Sequence, residues 1–111
     1  MAMGERVDRP LKKSEFQIVY GSSGAKKGWR DLLATQRSQL VDAWNLLTTD
    51  PMANTAQIHP LKGSLGIVTR GGVEHVQRQC ELSQGARIWF YVEGSQVVIV
   101  KVHTHHPNQT K

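Results

Sequence analysis

At 111 residues, with fourteen lysines and arginines against nine aspartates and glutamates and a net charge of +5, the chain has room for one domain and one core. Its basic balance makes a polyanion, nucleic acid first, the natural partner, although a few extra lysines also serve plain solubility. The single cysteine, Cys80, excludes an intrachain disulfide and leaves a cysteine-based zinc centre without ligands. No apolar run approaches the roughly 20 residues of a membrane span, and MAMGERVDRPLKKSE has neither the apolar region nor the cleavage site of a signal peptide, so the expected location is a reducing cytoplasm with no membrane partner.

Residues 1–14 are polar and basic and lack any period, which reads as a flexible arm before a single domain over 15–111. FQIVYG (16–21) alternates and is rich in β formers, a first strand ending at Gly21. Ser22 or Ser23 can cap AKKGWRDLLA, a helix with Ala25, Trp29, Leu32 and Leu33 on one face, weakened by Gly28. A second amphipathic run from about Arg37 to Thr48 aligns Leu40, Val41, Trp44 and Leu47 and stops at Asp50-Pro51. The two form a helical hairpin.

From Met52 to Gly72 prolines and glycines predict loop, with one short strand at Gly66 to Thr69. Three strands follow, EHVQRQCEL (74–82), ARIWFYV (86–92) and QVVIVKVHT (96–104), joined by the short turns SQG and EGS into an antiparallel meander. The fold class is therefore α+β, with the helices on one face of the sheet. A three-residue turn with Gly85 left-handed opposes Glu81 to Arg87. That register puts Val76, Cys80, Leu82, Ala86, Ile88 and Phe90 on the helix face, and Gln77, Gln79, Glu81, Arg87, Trp89 and Tyr91 on a polar, open one. A two-residue turn would mix apolar with charged positions on both faces.

Three features carry chemistry. VHTHHP (102–107) holds three of the five histidines. His103 and His105 would share a strand face as two ligands of one ion can, but zinc takes three or four, and no HExxH or CxxC pattern supplies the rest. A solvated tail is the plain alternative. HPLKG (59–63) sets His59 and Lys62 around a rigid proline at a loop end. Arg87, in an otherwise apolar strand, pairs with Glu81 across the ladder or faces an anion, and the two are compatible. Trp89 and Tyr91 could stack on bases, or serve as core.

The succession of a strand, a helical hairpin with KKGWRDL, a loop with PLKG, GARIWFYV and a last strand ending VHTHHP resembles the RelE/ParE superfamily of bacterial type II toxins, over roughly Phe16 to Asn108. It is similar in particular to actinobacterial members whose third strand reads close to GARIWY and whose end reads VHTGHPKATE. The resemblance implies a RelE-like α+β fold and a ribosome-dependent endoribonuclease that cleaves messenger RNA by attack of the 2′-OH on the adjacent phosphate, with no metal or cofactor. Such chemistry takes a base, cations on the phosphate and an acid for the leaving oxygen. Residue by residue, the resemblance implies His59 as base, in place of a carboxylate in one branch of the family, and Lys62 near the phosphate path. Arg87 would lie on the scissile phosphate, oriented by Glu81, and His105 would be the acid, with His103 the other choice on the same strand face and His106 pointing away. Arg78 and Lys101 are the further basic residues it offers to RNA, although the register above turns Arg78 from the polar face. The partners implied are a cognate antitoxin, in a toxin–antitoxin hetero-oligomer, and messenger RNA on the ribosome. ParE-like members, which poison DNA gyrase, and inactive proteins that only bind an antitoxin share the fold.

Overall fold

Arg87 to Glu93, strand β6, organises the molecule because its alternate residues serve two different faces. Ala86, Ile88 and Phe90 are completely buried on one side, while Arg87, Trp89 and Tyr91 point to the other. The computed structural model describes Pro10, Lys12 and residues 15–105. The expected arm over 1–14 falls outside these residues apart from Pro10 and Lys12, as does His106.

In chain order the elements are β1 (Gln17–Tyr20), α1 (Ser23–Thr35), α2 (Arg37–Thr49), β2 (Ile58–Pro60), β3 (Ile67–Arg70), β4 (Val73–Val76), β5 (Arg78–Glu81), β6 and β7 (Gln96–His103). The architecture is α+β: a five-stranded sheet in the order β1-β7-β6-β5-β2, with β1 parallel to β7 and the other pairs antiparallel, plus a two-stranded hairpin of β3 and β4. The expected meander is present as β5-β6-β7, and Gly85, at φ 87°, makes the turn that opposes Glu81 to Arg87. Among the described residues no helix is long and apolar enough to cross a membrane.

Both helices lie where their apolar stripes require. Ser22 caps α1 by accepting the Ala25 N–H at 3.0 Å, and Ala25, Trp29 and Leu32 face the sheet. Helix α2 follows after Gln36 alone and adds Leu40, Ala43 and Leu47. These meet Ile58, Cys80, Ile88, Phe90, Val97 and Ile99 from the sheet. Val41, expected on the α2 stripe, is instead half exposed. Burial pushes the Cys80 thiol up to about 12, with the neighbouring Glu81 charge adding to the effect, so it behaves as an inert core residue.

Other expectations need correction. Residues 74–82 form two strands broken at Gln77, whose N–H donates to Gly66 O and whose carbonyl accepts from Leu61 N–H. At that point the chain leaves the β3 ladder for the main sheet. Val76 is consequently exposed rather than in the core. The expected loop contains one further piece of ladder, Ile58–Pro60, which pairs with β5. The short strand expected at Gly66 to Thr69 is Ile67–Arg70, and Gly71-Gly72, at φ 59° and 79°, make the tight turn that joins it to β4, of the kind two left-handed residues favour. Finally, the strand carrying the last histidines stops at His103, leaving Thr104 and His105 in a bend.

Phe90 is the largest fully buried side chain. Its replacement by alanine should lower the unfolding free energy by about 3–5 kcal/mol, seen as an earlier denaturant midpoint at an unchanged slope.

Candidate functional site

The face of the sheet away from the helices is built by ladder pairing, since directly paired residues project to the same side. One row across four strands runs His59, Gln79, Trp89, Lys101. The next runs Glu81, Arg87, His103. Lys101 and His103 reach this face because β7 contains one extra residue. Ile99 pairs with Phe90 but Lys101 pairs with Trp89, so Val100 is a bulge. Val97 and Ile99 before it point into the core, as Val102 does after it. Without the bulge, strict alternation would turn His103 onto the helix side.

Arg87 is the centre of the site and is buried, at 7% exposure. Its Nη2 lies 3.3 Å from Glu81 Oε1 and its Nη1 donates to Ala86 O at 3.2 Å. Arg87 Nε and His103 Nε2 are buried without a hydrogen-bond partner. Arg87 Nε is a donor and calls for an acceptor, while His103 Nε2 becomes a second donor when the ring is protonated. Burial, then the positive charges of Lys101 and Arg87, depress the proton affinity of His103 below the ordinary histidine value of 6.5. Its ring sits edge-on to Trp89 with centroids 4.3 Å apart.

The open face expected from the sequence is in fact covered. Trp89 Nε1 donates to Gln79 Oε1 at 3.0 Å beside the His103 ring, and Trp89 is only 4% exposed. Tyr91 lies under His75 of the β3–β4 hairpin, rings stacked at 4.1 Å and 16°, with His75 Nε2 3.7 Å from Glu93 Oε2. Neither aromatic presents a free ring face for a base in this arrangement.

His59 is on the same face at the β2 edge, its Nδ1 3.1 Å from Thr55 O. A carbonyl can only accept, so Nδ1 carries a hydrogen, and in the neutral ring the lone pair lies on Nε2. Lys62 is exposed just beyond β2, and Lys101 is exposed beside Trp89. Arg78 is on the helix side, as the register required. It is buried, donating from Nε to Pro51 O at 3.0 Å and from Nη2 to Ala53 O, so it clasps the segment after α2 and stands apart from the cluster around Arg87. Its guanidinium loses some proton affinity through burial, partly offset by Asp50. His105, expected on the face of His103, instead lines a cleft with Asp31, Thr35, Gln36 and Thr104 at the end of α1. Gln79 and His75 were not singled out as site residues. Gln79 had a usable signal, its alternation with Glu81, whereas His75 reaches Tyr91 only through the unforeseen hairpin.

No family model matches the chain, and no curated protein does either. Among solved structures, it is similar to a copper-bound mutant toxin from Helicobacter pylori, with a TM-score of 0.55 and 17% identity over 81% of this chain and 94% of that one. At that identity the likeness concerns the fold, which is compatible with the RelE-like arrangement expected from the sequence.

A histidine that resists protonation when folded, but takes a proton near 6.5 when unfolded, couples stability to pH. Below 6.5 the unfolded chain binds the additional proton, so the His103 contribution is intact above that pH and is lost as pH falls toward the depressed folded value. Urea unfolding at pH 7.5 and pH 5.5 should show a smaller acid destabilisation for His103→Gln than for the wild type. Equal losses would remove His103 from the effect.

Proposed function

We propose that the chain is a toxin of a type II toxin–antitoxin system that cleaves messenger RNA on the ribosome. The observation that carries this reading is the pairing of Arg87 with His103, each with a buried, unpartnered nitrogen, on a face that also holds Lys101 and His59. The fold likeness to a bacterial toxin and the net charge of +5 support it from outside the site.

In this reaction the 2′-oxygen attacks phosphorus, the bond to the 5′-oxygen breaks, and a cyclic phosphate and a free 5′-hydroxyl result. A phosphodiester seated at Arg87 would accept from Nε, with Lys101 adding charge beside it. Glu81 holds the other side of the guanidinium. His103 would then stand on the β7 side of the phosphate and His59 toward β2, two strand spacings, about 10 Å, from the strand of Arg87. His59 has the tautomer of a base, its Nε2 free to take the 2′ proton. The acid role moves from His105 to His103. A bound phosphate opposes the charges of Lys101 and Arg87 that disfavour protonation of His103, so binding draws a proton onto it, ready for the 5′-oxygen. Lys62, exposed past the β2 edge, would meet the RNA beyond His59.

An antitoxin partner belongs to this reading. A protein that covers Arg87 and presents a carboxylate to its free Nε would occupy the position of the phosphate and silence the site.

The test is messenger RNA cleavage in a purified translation system, with and without ribosomes. Arg87→Ala should cut about 10²–10³-fold more slowly than wild type, and His103→Ala should lose far more activity than His105→Ala. Full activity of Arg87→Ala, or no cutting by folded wild-type protein, would overturn the nuclease reading.

A further inference from the structure

The outer edge of β7 is held first by β1 and then by the residues that follow it. Pairing with β1 runs from Gln17↔Gln96 to Tyr20↔Ile99 and stops where the bulge begins. The next two residues take over in succession. Gly21 N–H donates to Ile99 O at 2.7 Å, and the Ser22 hydroxyl donates to Val100 O at 3.3 Å. The same hydroxyl accepts the Ala25 N–H that begins α1. One hydroxyl hydrogen and two lone pairs permit both bonds at once.

Two glycines let the helix press this close. A Cβ on Gly21 would lie 2.8 Å from Ile99 O, and one on Gly28 would lie 2.6 Å from Val102 Cβ. Gly28, a poor helix former in a helix interior, is therefore required by its contact with the strand. Together Gly21, Ser22 and Gly28 touch β7 just before, at and just after the bulge.

We infer that Ser22 is a positioning residue for the site: by donating to Val100 O it fixes the bulge that turns Lys101 and His103 onto the face of Arg87. An extra residue in a strand can settle at more than one place along a ladder, and each displacement exchanges the faces of the residues it passes. The helix cap thereby sets which side of the sheet carries the imidazole. This rests on the reading of the Arg87–His103 pair as the reacting centre, but its geometric content is independent of any cleavage.

Three variants separate the two jobs of the hydroxyl. Ser22→Thr keeps donor and acceptor. Ser22→Asp keeps the cap acceptor but cannot donate, and Ser22→Ala removes both without adding charge. The readouts are thermal melting, the NMR titration of the His103 ring in the free protein, and RNA cleavage in the translation system. Melting should follow the cap, with Thr and Asp close to wild type and Ala lower. His103 should follow the donor. Its depressed titration should persist in Thr and move toward 6.5 in both Asp and Ala, with cleavage falling about 10–100-fold in those two. Wild-type titration and cleavage in Ser22→Asp would reduce Ser22 to a helix cap and overturn the inference. If the wild-type protein cuts no RNA, the His103 titrations across the series still decide the role of Ser22, so the two failures are told apart.

Discussion

A guanidinium buried within a sheet is the constraint around which this molecule is arranged. A charge taken from water needs a counter-charge and hydrogen-bond partners, and Arg87, at 7% exposure, has Glu81 on one side and Ala86 O on another. That arrangement demands one register between β5 and β6. Gly85 supplies it through a left-handed turn, and a slip of one residue would send Arg87 to the helix side and turn Ile88 and Phe90 away from the core. Arg78 shows the same demand met differently. On the helix side its guanidinium donates to the carbonyls of Pro51 and Ala53 and to Asn54 Oδ1, which ties down the segment after α2. One arginine is completed internally, and the other keeps a nitrogen to spare.

The second face of the sheet is consequently neither open nor a second apolar core. Two histidines lie on two aromatic rings of the same strand, His75 on Tyr91 and His103 on Trp89. The first belongs to a two-stranded hairpin, an element with little stability of its own, joined to the body at Gln77 and resting on β6. The second belongs to the central sheet and is held by its ladder. The Arg87 end of β6 is thus the part of this face that is built into the central sheet on both sides.

Much of this was legible in the residue pattern. The alternation of ARIWFYV, the turn SQG and the opposition of Glu81 to Arg87 follow from period and turn chemistry, because core burial permits a single register. The helical hairpin and a serine cap at 22 or 23 were visible for similar reasons, and the structure places the cap at Ser22. What was hidden depends on contacts distant in sequence. The run VHTHH carries no mark of a bulge, since QVVIVKV is apolar on both parities, and only the approach of Gly21 and Ser22 to β7 locates the extra residue at Val100. His105 looked equivalent to His103 because alternation would carry both to one face, whereas β7 ends at His103 and His105 lies in the bend that follows. The break at Gln77 was hidden in the same way, because its donor and acceptor are claimed by Gly66 and Leu61. Gly71-Gly72 was different: its turn signal was present and was read as loop because the flanking strands are short and exposed.

The charges at the Arg87 end do not balance. Arg87 and Lys101 bring two fixed positive charges, Glu81 returns one negative charge, and that carboxylate is committed to the Nη2 side of the guanidinium. The Nε side therefore remains positive and unsatisfied, and His103 next to it resists protonation, first through burial and then through the same positive charges. An anion delivered there would meet one orphaned donor at once and create a second, because its own charge favours the imidazolium. Binding and protonation would reinforce one another. A phosphodiester fits this sequence of events better than a neutral ligand, which could satisfy Arg87 Nε yet would leave His103 unprotonated and the local charge uncompensated.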